Sequence, residues 1–289
     1  MNQLTLFEID KKITSPVNVA SVPFRSVFRY PGGKTWFVPY FRKWMKKYNS
    51  GHILVEPFAG GGIIGLTAAF EDLAAHIVLV EKDENLAAVW KTILSRESTW
   101  LIEKITNFEI NPENVKKELE KKTSSLSEKA FQTILKNRVN RGGILAEGAG
   151  LIKNGENGRG LASRWYAKTL AKRISEIQSI KNKINFIEGD GFNIIREKHS
   201  NPKICFFIDP PYTIAGKRLY KYYKIDHEKL ISLCSKLTGN FIITYDESTE
   251  IEALAKKYGL KVGRVLMKTT HHIKKYELVI SKDIDWLES

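Results

Sequence analysis

The chain has 289 residues, 43% of them hydrophobic and 27% charged, enough for one large α/β domain with an insertion or for two modest domains. Its 46 Lys and Arg against 32 Asp and Glu leave a net charge of +14, an excess that favours a polyanionic partner, because basic side chains on phosphates release condensed counterions. Two cysteines, Cys205 and Cys234, exclude a disulfide framework and a Cys-based metal motif, and no apolar run is long enough to span a bilayer.

The opening "MNQLTLFEID" lacks the basic-then-apolar pattern of a signal peptide, so a cytoplasmic location is expected. Residues 1–23 read as a loosely held N-terminal arm. "HILVE", His52 to Glu56, is a buried strand; a glycine cluster and an apolar helix, Ile63 to Phe70, follow it. "HIVLVE", His76 to Glu81, is a second buried strand before a helix from Glu84 to about Ser95. This alternation predicts right-handed crossovers and a mainly parallel sheet. From 96 to 183 the β-type runs vanish. Amphipathic helical stretches, "NPENVKKELEKK" among them, flank the glycine-rich polar segment Asn137–Gly160. That block reads as a helical insertion carrying a functional loop. Strands resume at "INFIEGD", "KICFFID" and "NFIITYD", and "KVGRVLM" with "YELVIS" predicts a terminal antiparallel hairpin.

Three places carry chemistry. In "VEPFAGGGIIG", Gly60 and Gly62 let backbone approach a ligand without a Cβ in the way, and the helix start offers free N–H groups. Phe58 stands where a dinucleotide fingerprint has its first glycine, and no phosphate-loop Gly-Lys-Ser/Thr follows. Glu81, about twenty residues beyond that turn, suits the ribose hydroxyls of a nucleoside cofactor, with Asp83 as the fallback. In "DPPY", Asp209 and the Pro210 carbonyl present two acceptors to an amino group, Pro211 stiffens the turn, and Tyr212 offers a face for a planar base. "TYDES", Thr244 to Ser248, suits a base pocket or plain packing with a helix cap, and "THH", Thr270 to His272, suits a loop better than a metal site. No metal is expected.

"RYPGGK" (Arg29 to Lys34), "EPFAGGG" and "DPPY", in this order, resemble the Dam-like adenine-specific DNA methyltransferases over nearly the whole chain. The resemblance implies a Rossmann-like, doubly wound methyltransferase sheet in residues 24–95 and 184–289. Residues 96–183 would then be an inserted helical target-recognition subdomain. It implies S-adenosyl-L-methionine as cofactor, with Tyr30 and Lys34 covering it, Phe58, Gly60 and Gly62 beneath it and Glu81 on its ribose. Asp190 and Phe192 would hold its adenine ring, and Asp209 would reach it from the catalytic motif Asp209, Pro210, Pro211, Tyr212. Tyr30 stands where the family often has tryptophan, and Glu81 where aspartate is common.

The substrate implied is a flipped adenine in double-stranded DNA, methylated on its exocyclic amino group. Asn137, Arg138, Asn140, Arg141, Lys153 and Arg159 are the expected DNA readers, and Lys217 and Arg218 in "AGKRLYKYYK" suit a grip on backbone and base. A separate cognate restriction endonuclease is a further expected partner. The alternatives are a cytosine amino-methyltransferase, whose families commonly carry serine in place of Asp209, an RNA or protein methyltransferase, and a DNA-binding regulator with a vestigial pocket.

Overall fold

A computed structural model describes residues 11–15, 17–29, 32–48, 51–146, 148–212, 222, 224–268 and 274–287. Its centre is a sheet of eight strands: β1 (Lys11–Ile13), β2 (Ile53–Glu56), β3 (His76–Glu81), β4 (Ile184–Glu188), β5 (Ile204–Ile208), β6 (Asn240–Asp246), β7 (Lys261–Lys268) and β8 (Lys274–Ser281). They lie in the order β1-β7-β8-β6-β5-β2-β3-β4. Pairings are parallel throughout except where β8 meets β6 and β7. The expected terminal hairpin is therefore present, inserted so that β8 lies inside β7.

The central strands owe their position to composition. "ICFFI" in β5 is buried along its whole length, as a strand covered on both faces must be. One face is covered by α1 (Val38–Met45), α2 (Ile63–Phe70) and α3 (Glu84–Leu94), the other by α8 (Gly191–Lys198), α9 (His227–Ser235) and α10 (Thr249–Lys257). Cys205 and Cys234 fall in different cores, both buried and free, in keeping with the absence of a bridge.

The 96–183 block forms α4 (Ser98–Asn107), α5 (Pro112–Glu120), α6 (Leu126–Val139) and α7 (Ala167–Ser179). Its starts are signalled by Asn111 and Ser125, whose side chains accept from the amides of Asn114 and Glu128. Phe108, Phe131 and Trp165 pack edge-on at 5.2–6.2 Å, and their core runs without a break into that of α2 and α3. Two features depart from the sequence reading. The N-terminal arm contributes β1, which pairs with β7 through Ile13 and Val265 and covers an otherwise open edge. And α6 runs on to Val139, so Asn137 and Arg138 belong to a packed helix rather than to the loop.

The sheet reverses its winding at β2, which pairs with β3 on one side and β5 on the other. Ligands of open α/β sheets bind outside the carboxyl ends of strands at such a point. There lies a cleft of about 850 Å³ that reaches from Phe24 and Arg29 across to Asp190 and Asp209.

Candidate active site

The cleft floor begins where β2 ends. Gly60 and Gly62 adopt left-handed φ values of 49° and 62°, and a Cβ on Gly62 would stand 2.6 Å from the Trp90 ring. Trp90 Nε1 donates to the Gly60 carbonyl at 3.0 Å, and Ser26 Oγ donates to the Gly61 carbonyl at 2.6 Å, so the turn is pinned from both sides. Glu81, at the end of β3, accepts from the amides of Gly60 and Asp83 at 2.9 and 2.8 Å. Burial, against those amides, pushes its carboxyl up to about 7. Glu56 accepts from the Gly65 amide at 2.9 Å; burial, with a smaller contribution from the Asp209 charge, pushes it up to about 8.

Beyond β4, Asp190 caps α8 by accepting from the Phe192 amide at 2.9 Å and pairs with Lys82 at 2.8 Å. Burial works to raise the Asp190 pKa, but Lys82 and that amide together hold it below the usual value. Phe58 and Phe192 meet edge-to-face at 6.1 Å and line the same wall. Gly191 lets that wall close, since a Cβ there would come within 2.4 Å of the Pro57 carbonyl.

At the end of β5, Asp209 Oδ1 accepts from Thr244 Oγ1 at 2.8 Å and faces Lys34 Nζ at 3.1 Å. Lys34, 2% exposed, is also 3.1 Å from Glu277 Oε2 of β8, hydrogen-bonds the Tyr212 hydroxyl and lies 4.8 Å from that ring's centroid. Tyr212 donates to Glu277 at 3.0 Å, and its ring tilts against Tyr245 at 6.4 Å. Burial alone would lower the Lys34 pKa; Asp209 and Glu277 outweigh it and hold the ammonium above its ordinary value. Burial raises Glu277, and Lys34 offsets that only in part because one ammonium serves two acids. Lys34 is thus a fixed cation here and not a base.

The structure gathers Lys34, Phe58, Gly62, Glu81, Asp190, Phe192, Asp209 and Pro211 at the cleft wall, with Gly60 and Tyr212 bonded to them. Tyr30, Lys217, Arg218 and the Thr270–His272 run lie outside the described residues. Among the described residues no His, Cys, Asp or Glu cluster could hold a metal ion. No helix among them is long and apolar enough to cross a membrane.

The expected DNA readers divide. Asn137, Arg138 and Asn140 are 1%, 3% and 2% exposed, which corrects their placement on a DNA-facing surface. Asn137 accepts from the Arg29 amide and donates to the Arg29 and Gly143 carbonyls at 2.7–2.9 Å, and Asn140 donates to the Ile144 carbonyl. Arg138 donates to the Val27 carbonyl; burial and the neighbouring Arg173 and Arg29 push its pKa down to about 9. Their polarity serves the backbone of the segment beside the cleft. Arg141, Lys153 and Arg159 are exposed. Gly142 and Gly143 carry the loop to the cleft rim; a Cβ on Gly143 would stand 2.3 Å from the Arg29 carbonyl.

Sequence reasoning missed Glu56 as an acid and missed Glu277 altogether. Glu277 left one trace: it is the lone charge inside the apolar run "YELVIS", at a position 3% exposed. Thr244, flagged as a pocket residue or a packing one, proves to be bonded to Asp209.

A family model for D12 class N6 adenine-specific DNA methyltransferases matches residues 30–269. No curated protein matches the chain. Among solved structures, a SAM-dependent methyltransferase from Agrobacterium tumefaciens superposes with a TM-score of 0.41 at 8% identity, covering 86% of this chain and 62% of that one. A candidate RNA methyltransferase from Pyrococcus horikoshii gives 0.42 at 11% identity, covering 89% and 86%.

Proposed function

We propose, from the premise that the chain belongs to the D12 class N6 adenine-specific DNA methyltransferase family, that the Asp209–Tyr212 edge of its cleft receives an adenine amino group extruded from duplex DNA. Members of that family methylate adenine in DNA with S-adenosylmethionine as methyl donor. The wall suits such a donor: the pinned glycine turn admits close approach, Glu81 at the end of β3 suits its ribose hydroxyls, and Phe58 and Phe192, edge-to-face, offer its adenine an apolar corner beside Asp190. When bound, it supplies an electrophilic sulfonium methyl.

What the protein's residues add is orientation and charge. The lone pair of an adenine amino nitrogen is delocalised into the ring. Two acceptors, Asp209 and the Pro210 carbonyl, bind its two hydrogens and favour a tetrahedral nitrogen whose lone pair points at the methyl. S-adenosylmethionine would supply the methyl and take up the S–C bonding pair as the N–C bond forms, and the surplus proton of the nitrogen would pass to the partly exposed Asp209 carboxylate and on to solvent. Holding both reactants in that geometry is worth as much as about 7–11 kcal/mol in intramolecular reference reactions. Asp209 stabilises the positive charge that develops on nitrogen, more strongly because Lys34 and Glu277 beside it are buried. The base must leave the helix, at a few kcal/mol of unstacking and unpairing, and exposed Arg141, Lys153 and Arg159 suit phosphate contacts on the way.

One observation carries the reading. Thr244 and Lys34 engage Asp209 Oδ1, while Oδ2 makes no hydrogen bond to a described residue and remains for a substrate donor. Incubation of duplex DNA with labelled S-adenosylmethionine should yield N6-methyladenine. Bound but unmethylated DNA would favour a regulator, and methylcytosine would favour the cytosine reading. A separate cognate restriction endonuclease is the partner this reading allows; protection of methylated DNA from a co-encoded nuclease tests it.

A further inference from the structure

Lys34 poses an electrostatic problem for the chemistry just described. An ammonium 3.1 Å from Asp209 Oδ1 cancels the negative charge that a developing cation on the substrate nitrogen needs. The structure contains a counterweight. Glu277 Oε2 stands at the same 3.1 Å from the same ammonium, and it also accepts from Tyr212. Two acids share one ammonium, so Asp209 does not face the Lys34 charge alone.

The neighbouring charges do not upset this balance. Burial lifts the Asp246 carboxyl, opposite Glu277 on β6, above its ordinary value, and Lys275, His227 and Lys34 counter that only in part. Glu56, whose carboxyl feels the Asp209 charge, holds its proton up to about pH 8, chiefly through burial.

The geometry is also a fastening. Through Lys34, Glu277 reaches Asp209; directly, it holds the Tyr212 hydroxyl. Both ends of the Asp209–Tyr212 segment therefore answer to one buried side chain on a different strand, β8. Glu277 lies 3% exposed in an apolar strand, where an acid without a task is costly.

We propose that Glu277 is a positioning residue for methyl transfer: it draws Lys34 off Asp209 and orients Asp209 and Tyr212 toward the adenine amino group. The inference rests on the methyltransferase reading above. Lys34 serves Glu277 and Asp209 together, so the effect of Glu277 on Asp209 runs through it, while its hold on Tyr212 is direct.

Wild-type transfer to duplex DNA is measured first; its absence overturns the methyltransferase reading and this inference with it. Given wild-type turnover, Glu277→Gln should lower kcat about 10–100-fold while KM for DNA and for S-adenosylmethionine changes less than about threefold. Glu277→Asp, which keeps the charge, should be faster than Glu277→Gln. In a Lys34→Met background, Glu277→Gln should cost clearly less than it does in the wild type, because the link to Asp209 is already cut and only the bond to Tyr212 is left to lose. Unchanged kcat in Glu277→Gln, or losses that multiply in the double variant, overturns the proposal while leaving the methyltransferase reading intact. Should Glu277→Gln not fold, Glu277→Asp with and without Lys34→Met carries the same comparison.

Discussion

The carboxyl edge of the sheet and the helical block 96–183 treat polar residues in opposite ways. At the sheet edge, Glu56, Glu81 and Asp209 each close or directly follow an apolar strand, and all three arrive at one cleft. In the helical block, Asn137, Arg138 and Asn140 turn inward and hold backbone, while Arg141, Lys153 and Arg159 face out. A strand end in a parallel sheet has a fixed destination, because topology brings every carboxyl end to the same edge. A helical residue's direction depends on what packs against it, and here the segment 26–29 packs against the end of α6.

Substitutions can break that contrast at its strongest point first. Asp209→Ala should lower kcat by at least about 10²–10³-fold, the loss typical of removing one preorganised electrostatic group. DNA affinity should stay close to wild type in a filter-binding or anisotropy assay; retained turnover would remove Asp209 from the chemistry.

In the helical block the effect should fall on folding instead. Asn137→Ala leaves the Arg29 amide and the Arg29 and Gly143 carbonyls without their partner, and each orphaned buried group costs about 1–3 kcal/mol. A drop in Tm of several degrees is expected. An unchanged Tm with weakened DNA binding would return Asn137 to the recognition surface.

A pH series sharpens the contrast within the cleft. The native state keeps the Glu56 proton up to about pH 8, whereas the unfolded chain releases it near the ordinary carboxyl value of 4.5. Between those values the native state binds more protons, so stability declines as pH rises through the window. Glu56→Gln keeps an acceptor for the Gly65 amide but has no proton to lose. Its Tm should fall less than that of the wild type between pH 5 and 8.5, and parallel curves would contradict the assignment.

The smallest effect belongs to the exposed face. Arg141→Ala should weaken DNA binding only a few-fold and flatten the dependence of log K on log salt by about 0.9 if it neutralises one phosphate. An unaltered slope removes Arg141 from the phosphate contacts.

Much of this was legible in the sequence where a local pattern decides the outcome. The runs "ILVE", "HIVLVE" and "ICFFI" fixed the central strands, and the glycine turn and Asp209–Tyr212 fell at their ends. β1 was not legible, because three residues of "KKI" carry no pattern until β7 stands beside them. Nor was the inward turn of Asn137 and Arg138, which requires knowing that α6 reaches Val139. Glu277 required knowing that β8 inserts between β6 and β7, which carries it to Lys34 from the far end of the chain.

The central claim is that the Asp209 cluster delivers an adenine amino group to the methyl of S-adenosylmethionine. The most direct measurement is single-turnover transfer of labelled methyl to duplex DNA, with the product nucleoside identified. The account predicts N6-methyladenine from the wild type and none from Asp209→Ala at equal DNA occupancy. Methyl on another base, or equal rates from both proteins, would contradict it.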